Sequence, residues 1–313
     1  MLFYVLRRLI TGVVLAVLVT FITFLLLSTS FRDMVSTLLG PDASPASVTG
    51  RLHDLGYDRP LVVQYVDWLA HAVRGDLGTS LFTSQAVAPA VISHMIVTMS
   101  IVLPGLIIAL ILSVILGVWA ALRSGAPDRI AQGISLVGHV VPALLTAIVL
   151  VVVFAVETKI FPATGYVPFG ESPVGWIRST TLPVAVLVIA GMASITAQIR
   201  GSMIDELGKD YVRTLRTAGV PARSIVLKHA LRNAGSPALT VTSLQFIQLF
   251  SSSVIIENVF ALPGFGSFAF TSAQNIDVPV IMGVTVVSVV LVTGVNLIAD
   301  IANGYLNPKA RLH

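Results

Sequence analysis

The chain has 313 residues and no cysteine. That removes disulfides, thiol nucleophiles and thiolate metal sites from its chemistry. Charge is scarce as well. Only 11% of the residues are Asp, Glu, Lys or Arg, where a soluble domain carries about 25%. The phosphate-cradling pattern G-x-x-x-x-G-K-[ST] is also missing. Gly208-Lys209 in "ELGKD" lacks both the earlier glycine and the following Ser or Thr, so any nucleotide chemistry belongs to a partner. No HExxH pair, carboxylate pair or Ser/His nucleophilic cluster lies in the apolar stretches, which argues against a membrane-embedded enzyme.

What remains is strongly apolar: 55% of the residues are hydrophobic. This composition predicts an all-α polytopic membrane protein rather than two soluble domains. Six stretches have the roughly 20 apolar residues that a spanning helix needs: about 9–30, 97–121, 131–156, 179–199, 234–257 and 278–300. His139 is the one ionisable group well inside a span. It reads either as a proton relay or as a histidine hydrogen-bonded within the bundle. Pro104 and Pro142 predict kinks.

The net charge of +4 is clustered. Arg7, Arg8, Arg123, Arg129, seven basic residues from Arg200 to Arg232, Lys309 and Arg311 fall on one side of these spans. By the positive-inside rule that side, with both termini, is cytoplasmic. The clustering speaks for orientation in a membrane and for contact with lipid, and against nucleic acid. The expected organisation is an N-terminal membrane helix (1–30), an extracytoplasmic loop with short amphipathic helices (31–96), a five-helix core (97–303) and a cytoplasmic tail (304–313). The loop's "LVVQYVDWLAHAV" predicts a helix with Val62, Tyr65, Val66, Leu69 and Val73 on one side. Arg7-Arg8 before an apolar run resembles a signal peptide, but the run is long enough to stay as an uncleaved first span.

The basic segment between spans four and five has its own pattern. Tyr211, Val212, Leu215 and Ala218 form an apolar stripe after Asp210, with Arg213 and Arg216 off it. Gly219 stands where a helix terminus needs positive φ, and Pro221 suits the first turn of a second helix. A lipid-bound surface helix has no use for such an elbow. A protrusion that docks into another protein does.

Here the chain resembles the cytoplasmic signature loop of ABC importer permeases, Glu-Ala-Ala, three residues, then Gly. Arg213-Thr214-Leu215 takes the Glu-Ala-Ala slots and Gly219 is the Gly. "FYVLRRL", "LGYDRPLVVQYVDWL", "GDLGTSL", "DYVRTLRTAG…KHALRN" and "VIIENVFALPGFG" extend the resemblance over nearly the whole chain, to the dipeptide/oligopeptide/nickel branch and the first of its two permease subunits. The resemblance implies the type I importer architecture in a bacterial or archaeal inner membrane. It also implies a second homologous permease, two ABC ATPase subunits that use ATP and Mg, an extracytoplasmic solute-binding protein and a peptide substrate. This chain itself would bind no cofactor and no metal. Nickel or another peptide-like solute stays open as cargo. An ion-coupled secondary transporter is the rival class, for which inverted repeats and a buried carboxylate are wanting.

Span five is polar for its depth. Thr242, Gln245, Gln248 or Leu249, and Ser252 fall at helical spacing. They either line a translocation path or join helices. Glu257 at its outer end reads as an attractor for a peptide amino group or as one half of an interface salt bridge. Phe260, Pro263, Gly264 and Phe265 read as an outer plug or an interfacial belt.

Overall fold

The computed structural model describes residues 2–123 and 125–306. Lys309, Arg311 and most of the expected 304–313 tail lie outside them. Among the described residues the regular structure is helical. The order is α1 (Leu2–Ser28), α2 (Phe31–Leu39), α3 (Pro45–Asp54), α4 (Leu61–Ala72), α5 (Val87–Leu122), α6 (Ala126–Val140), α7 (Ala143–Glu157), α8 (Pro173–Leu207), α9 (Asp210–Thr217), α10 (Ala222–Val259), α11 (Phe265–Gln274) and α12 (Val278–Leu306). α7 ends, and α10 begins, in wider π-type turns at Val152–Glu157 and Ile225–Ala230. Five helices (α1, α5, α8, α10 and α12) are long and apolar enough to cross a membrane.

The third expected span is not one helix. α6 and α7 meet at 100° across Val141–Pro142. Val141 is extended, with ψ 117, the conformation a following proline imposes. Pro104 behaves differently: α5 continues through it.

The chain divides into two compact units. The first holds residues 1–97 and 263–294. Its core packs Phe24, Phe31, Met34, Val35, Tyr65, Val278 and Met282 together. Tyr65 anchors α4 to α1, donating its hydroxyl to the Val17 carbonyl at 2.9 Å and meeting the Thr20 hydroxyl at 2.9 Å. Ser80 donates to buried Asp277 at 2.5 Å. The apolar stripe expected on α4 is split. Tyr65 and Leu69 turn inward with Gln64 and Trp68, whereas Val62, Val66 and Val73 are exposed. Aromatic packing decides the helix's rotation, not the count of apolar positions.

Among the described residues the second unit holds 98–262 and 295–306. α8 is its spine, with Val188, Ile195, Ile199 and Met203 packed against Ala109 of α5 and Ala230, Ala234 and Ala238 of α10. Small residues let these backbones approach closely, as membrane helices require. At Gly138 a side-chain carbon would stand 2.8 Å from the Ala193 Cβ, so α6 rests directly on α8. Inside the unit Thr196 donates to Ser113 at 3.0 Å, joining α8 to α5.

Candidate functional site

The basic segment folds as its local chemistry dictates. α9 ends in a Schellman turn: the Val220 amide donates to the Leu215 carbonyl at 3.0 Å and the Gly219 amide to Arg216 at 3.1 Å. Gly219 has φ +74, the left-handed region. Pro221, with φ −58, precedes α10 as its cap residue rather than sitting inside the first turn.

A buried carboxylate ties this elbow to the helices on either side. Glu206, at the end of α8, is only 9% exposed. It accepts from Lys209 Nζ, from the Tyr211 hydroxyl at 2.9 Å and from Asn233 Nδ2 at 3.4 Å. Asn233 lies on α10, so one carboxylate joins α8, α9 and α10. The hydrogen bond with Glu206 holds the Lys209 ammonium above its ordinary pKa. Burial raises the Tyr211 phenol.

These contacts redistribute the expected docking stripe. Val212 is fully buried by the chain itself, and Tyr211 turns its hydroxyl to Glu206, so neither presents a free apolar face. Leu215 is half-covered. The exposed surface of the elbow is Arg213, Thr214, Arg216, Thr217, Ala218 and Gly219, with Asp210 exposed at its start. Of the expected stripe Tyr211, Val212 and Leu215 are covered to differing degrees and Ala218 is exposed; periodicity could not say what covers a face. Arg213 Nη1 lies 3.5 Å from Asp210 Oδ1 in open solvent, a pair of little energetic weight.

The polar face of span five is also divided. Thr242 and Gln245 are 9% and 3% exposed. Gln245 packs towards Gly191 of α8, and the Thr242 hydroxyl donates to the Ala238 carbonyl at 2.8 Å. Ser252 is half-buried, and Gln248 alone of the four is exposed. Thr242 and Gln245 therefore sit between helices of this chain, as polar residues at small-residue crossings do.

Glu257 is fully buried and accepts from Thr98 Oγ1 at 2.5 Å. In this structure the side chain has no exposed surface to offer a peptide amino group, the first of its two expected readings. Phe260, in the second unit, is 1% exposed, and its carbonyl accepts from the Gly165 amide at 2.9 Å. Phe265, in the first unit, is 3% exposed; Gly264 is buried and Pro263 exposed. Packed this tightly, neither phenylalanine hangs free as a plug. His94 Nδ1 donates to the Pro263 carbonyl at 2.7 Å, and its ring stacks on Phe268 at 4.3 Å. Asn233, Thr98 and His94 escaped sequence reading because their partners lie far along the chain, Glu206 27 residues from Asn233, Glu257 159 from Thr98 and Pro263 169 from His94.

Comparison with known proteins agrees with this architecture. Residues 113–312 match the binding-protein-dependent transport system inner membrane component, and residues 1–102 match the N-terminal region of such membrane components. A putative peptide transport system permease protein of Brucella abortus is 35% identical over 308 residues, 98% of each chain. A probable peptide ABC transporter permease of Sinorhizobium fredii is 33% identical over 309 residues, covering 98% of this chain and 99% of that one. The oligopeptide transport system permease of Mycobacterium tuberculosis is 30% identical over 322 residues, 99% of each. With both family regions matched in order and full-length relatives on either count, the chain is a multi-pass membrane protein that belongs to the binding-protein-dependent transport system inner membrane components.

Proposed function

We propose that this chain is one of two pore-forming permeases of an ATP-driven importer for short peptides. The α8–α9–α10 elbow receives the motion of an ATPase subunit on the cytoplasmic side. Peptide cargo rests on what the relatives carry by name; import and the partner subunits rest on the family. The observation that supports the elbow's role is the Glu206 clamp. A docked α9 cannot shift alone when one carboxylate holds Lys209, Tyr211 and Asn233. Movement of α9 then carries α8 and α10, a rigid-body switch between inward-open and outward-open forms. The partner meets Arg213, Arg216 and the exposed Thr214, Thr217 and Ala218, so its groove carries acidic groups facing the two arginines.

The test is reconstitution. The chain is assembled in vesicles with its second permease, ATPase subunits and binding protein, and uptake of a labelled dipeptide is followed. Uptake that needs internal ATP and binding protein is expected. Uptake driven by an ion gradient without the ATPase would overturn the reading in favour of a secondary transporter.

A further inference from the structure

His139, for which the sequence left a proton relay or a hydrogen bond within the bundle open, lies in an open groove between α6 and α8. Gln132, Ser135 and His139 are spaced three and four apart, so they share one face of α6. Opposite stand Ala197 and Arg200 of α8, with Leu136 at the side, around a space of about 500 Å³. All these residues belong to the second unit.

The groove has a charged end and a deep end. Arg200 Nε donates to Asp128 Oδ1, and Gln132 Nε2 donates to Asp128 Oδ2 at 3.0 Å. His139 Nδ1 donates to the Ser135 carbonyl at 2.7 Å, and its Nε2 meets the Ser194 hydroxyl at 3.3 Å. Ser194 is six residues before Arg200, so His139 sits about 9 Å farther along the membrane-spanning axis. At Gly138, α6 touches α8, which closes the groove at that depth.

Polarity distinguishes this surface from its neighbours. Val137 and Val140 are 53% and 69% exposed, as a lipid-facing helix should be. Gln132 and His139 are exposed too; the imidazole nitrogens and one Gln132 N–H have partners within the chain, while the rest of the Gln132 amide is costly in hydrocarbon and suits a polar partner better than lipid. Thr242 is buried and Gln245 packs towards α8, so of the face expected to line a path only Gln248 and Ser252 keep exposed surface.

We propose that the α6–α8 groove lines the inner half of the solute path and takes the main chain of a short peptide. The inference rests on the peptide-import reading above. The groove offers neutral donors and acceptors for peptide groups at Gln132 and Ser135. Arg200 lends only Nε to Asp128, and its remaining guanidinium edge suits a peptide carboxylate. None of these contacts reads a side chain, so sequence-tolerant passage follows.

The absence of native cysteine makes the test direct. Gln132→Cys, Ser135→Cys and, as a lipid-facing control, Val137→Cys are placed singly in the assembled transporter in vesicles. Each is exposed to a charged, water-soluble methanethiosulfonate. Positions 132 and 135 are expected to react about tenfold faster than 137, and to be slowed by a saturating transported dipeptide. Equal rates at all three positions, or rates that dipeptide does not change, overturn the proposal. Silence at 132 and 135 together with ready crosslinking to a cysteine on the second permease also overturns it, and makes the groove a subunit seam. Dipeptide uptake by the unmodified assembly is measured in parallel. Uptake with unreactive or unprotected groove positions removes this inference alone, whereas no uptake of any dipeptide removes the functional reading beneath it.

Discussion

Tyr211 donates its hydroxyl to Glu206 at 2.9 Å, and through that bond the first turn of α9 is fixed to the last turn of α8. Tyr211→Phe deletes one of three donors to the carboxylate and should weaken the clamp by about 1 kcal/mol. Glu206→Ala deletes all three bonds. Peptide imported per ATP hydrolysed is expected to fall modestly in the first and severely in the second, with subunit assembly retained. An unchanged ratio in Glu206→Ala would show that the carboxylate takes no part in transmission.

Gly219 at φ +74 leaves no low-energy place for a β-branched residue. Gly219→Val should strain the elbow by about 1–2 kcal/mol and abolish uptake while the binding protein still docks. Nothing lies within 4 Å of a carbon added there, so the loss comes from backbone conformation and not from a clash. Gly219→Asn, which tolerates the left-handed region, should retain more uptake than Gly219→Val.

Thr98 and Glu257 form a buried pair within the second unit. Thr98→Val leaves Glu257 without that donor and should cost about 1–3 kcal/mol, seen as a lower thermal midpoint of the purified complex. Peptide concentration dependence should not move. A change in apparent affinity without loss of thermal stability would restore Glu257 as a substrate contact.

Topology is tested at two exposed positions. If residues 31–96 face outward as the charge pattern predicts, a cysteine replacing Ala46 should react with an impermeant thiol reagent added to intact cells. A cysteine replacing Thr217 should react only in inside-out vesicles.

His53 and Asp58 pair at 2.6 Å on the exposed segment between α3 and α4. The hydrogen bond with Asp58 raises His53 above 6.5, and the same bond lowers Asp58 below 3.8. His53 is raised, so its contribution is complete below 6.5 and is lost as pH rises through the higher folded value. Asp58 is lowered, so its contribution is present above 3.8 and is lost as pH falls through the depressed value. The pair therefore acts between those limits. NMR titration of His53 should give a midpoint above 6.5 that returns to the ordinary value in Asp58→Asn.

The apolar spans, the short α9 and the Gly219 turn were legible because each is set by residues close in sequence. What covers a face was not. Val212 and Tyr211 looked like a docking surface because amphipathicity reports that a face is buried without naming its cover. The same limit misplaced Val62 and Val66 on α4 and left Thr242 and Gln245 undecided. Pro104 and Pro142 look alike in sequence. Only the second interrupts its helix, since Val141 turns extended there while α5 runs on past Pro104.

The interruption at Val141–Pro142 also bears on hydration. Where α6 stops, its final carbonyls lose helical partners, and where α7 starts, its first amides do. Hydrocarbon satisfies neither. The Val141 amide still reaches the Val137 carbonyl, and the Leu145 and Thr146 amides reach that of Pro142, so the bend leaves only a few backbone dipoles for water or protein to meet, and a hydrocarbon surface is the one surrounding that does not suit it.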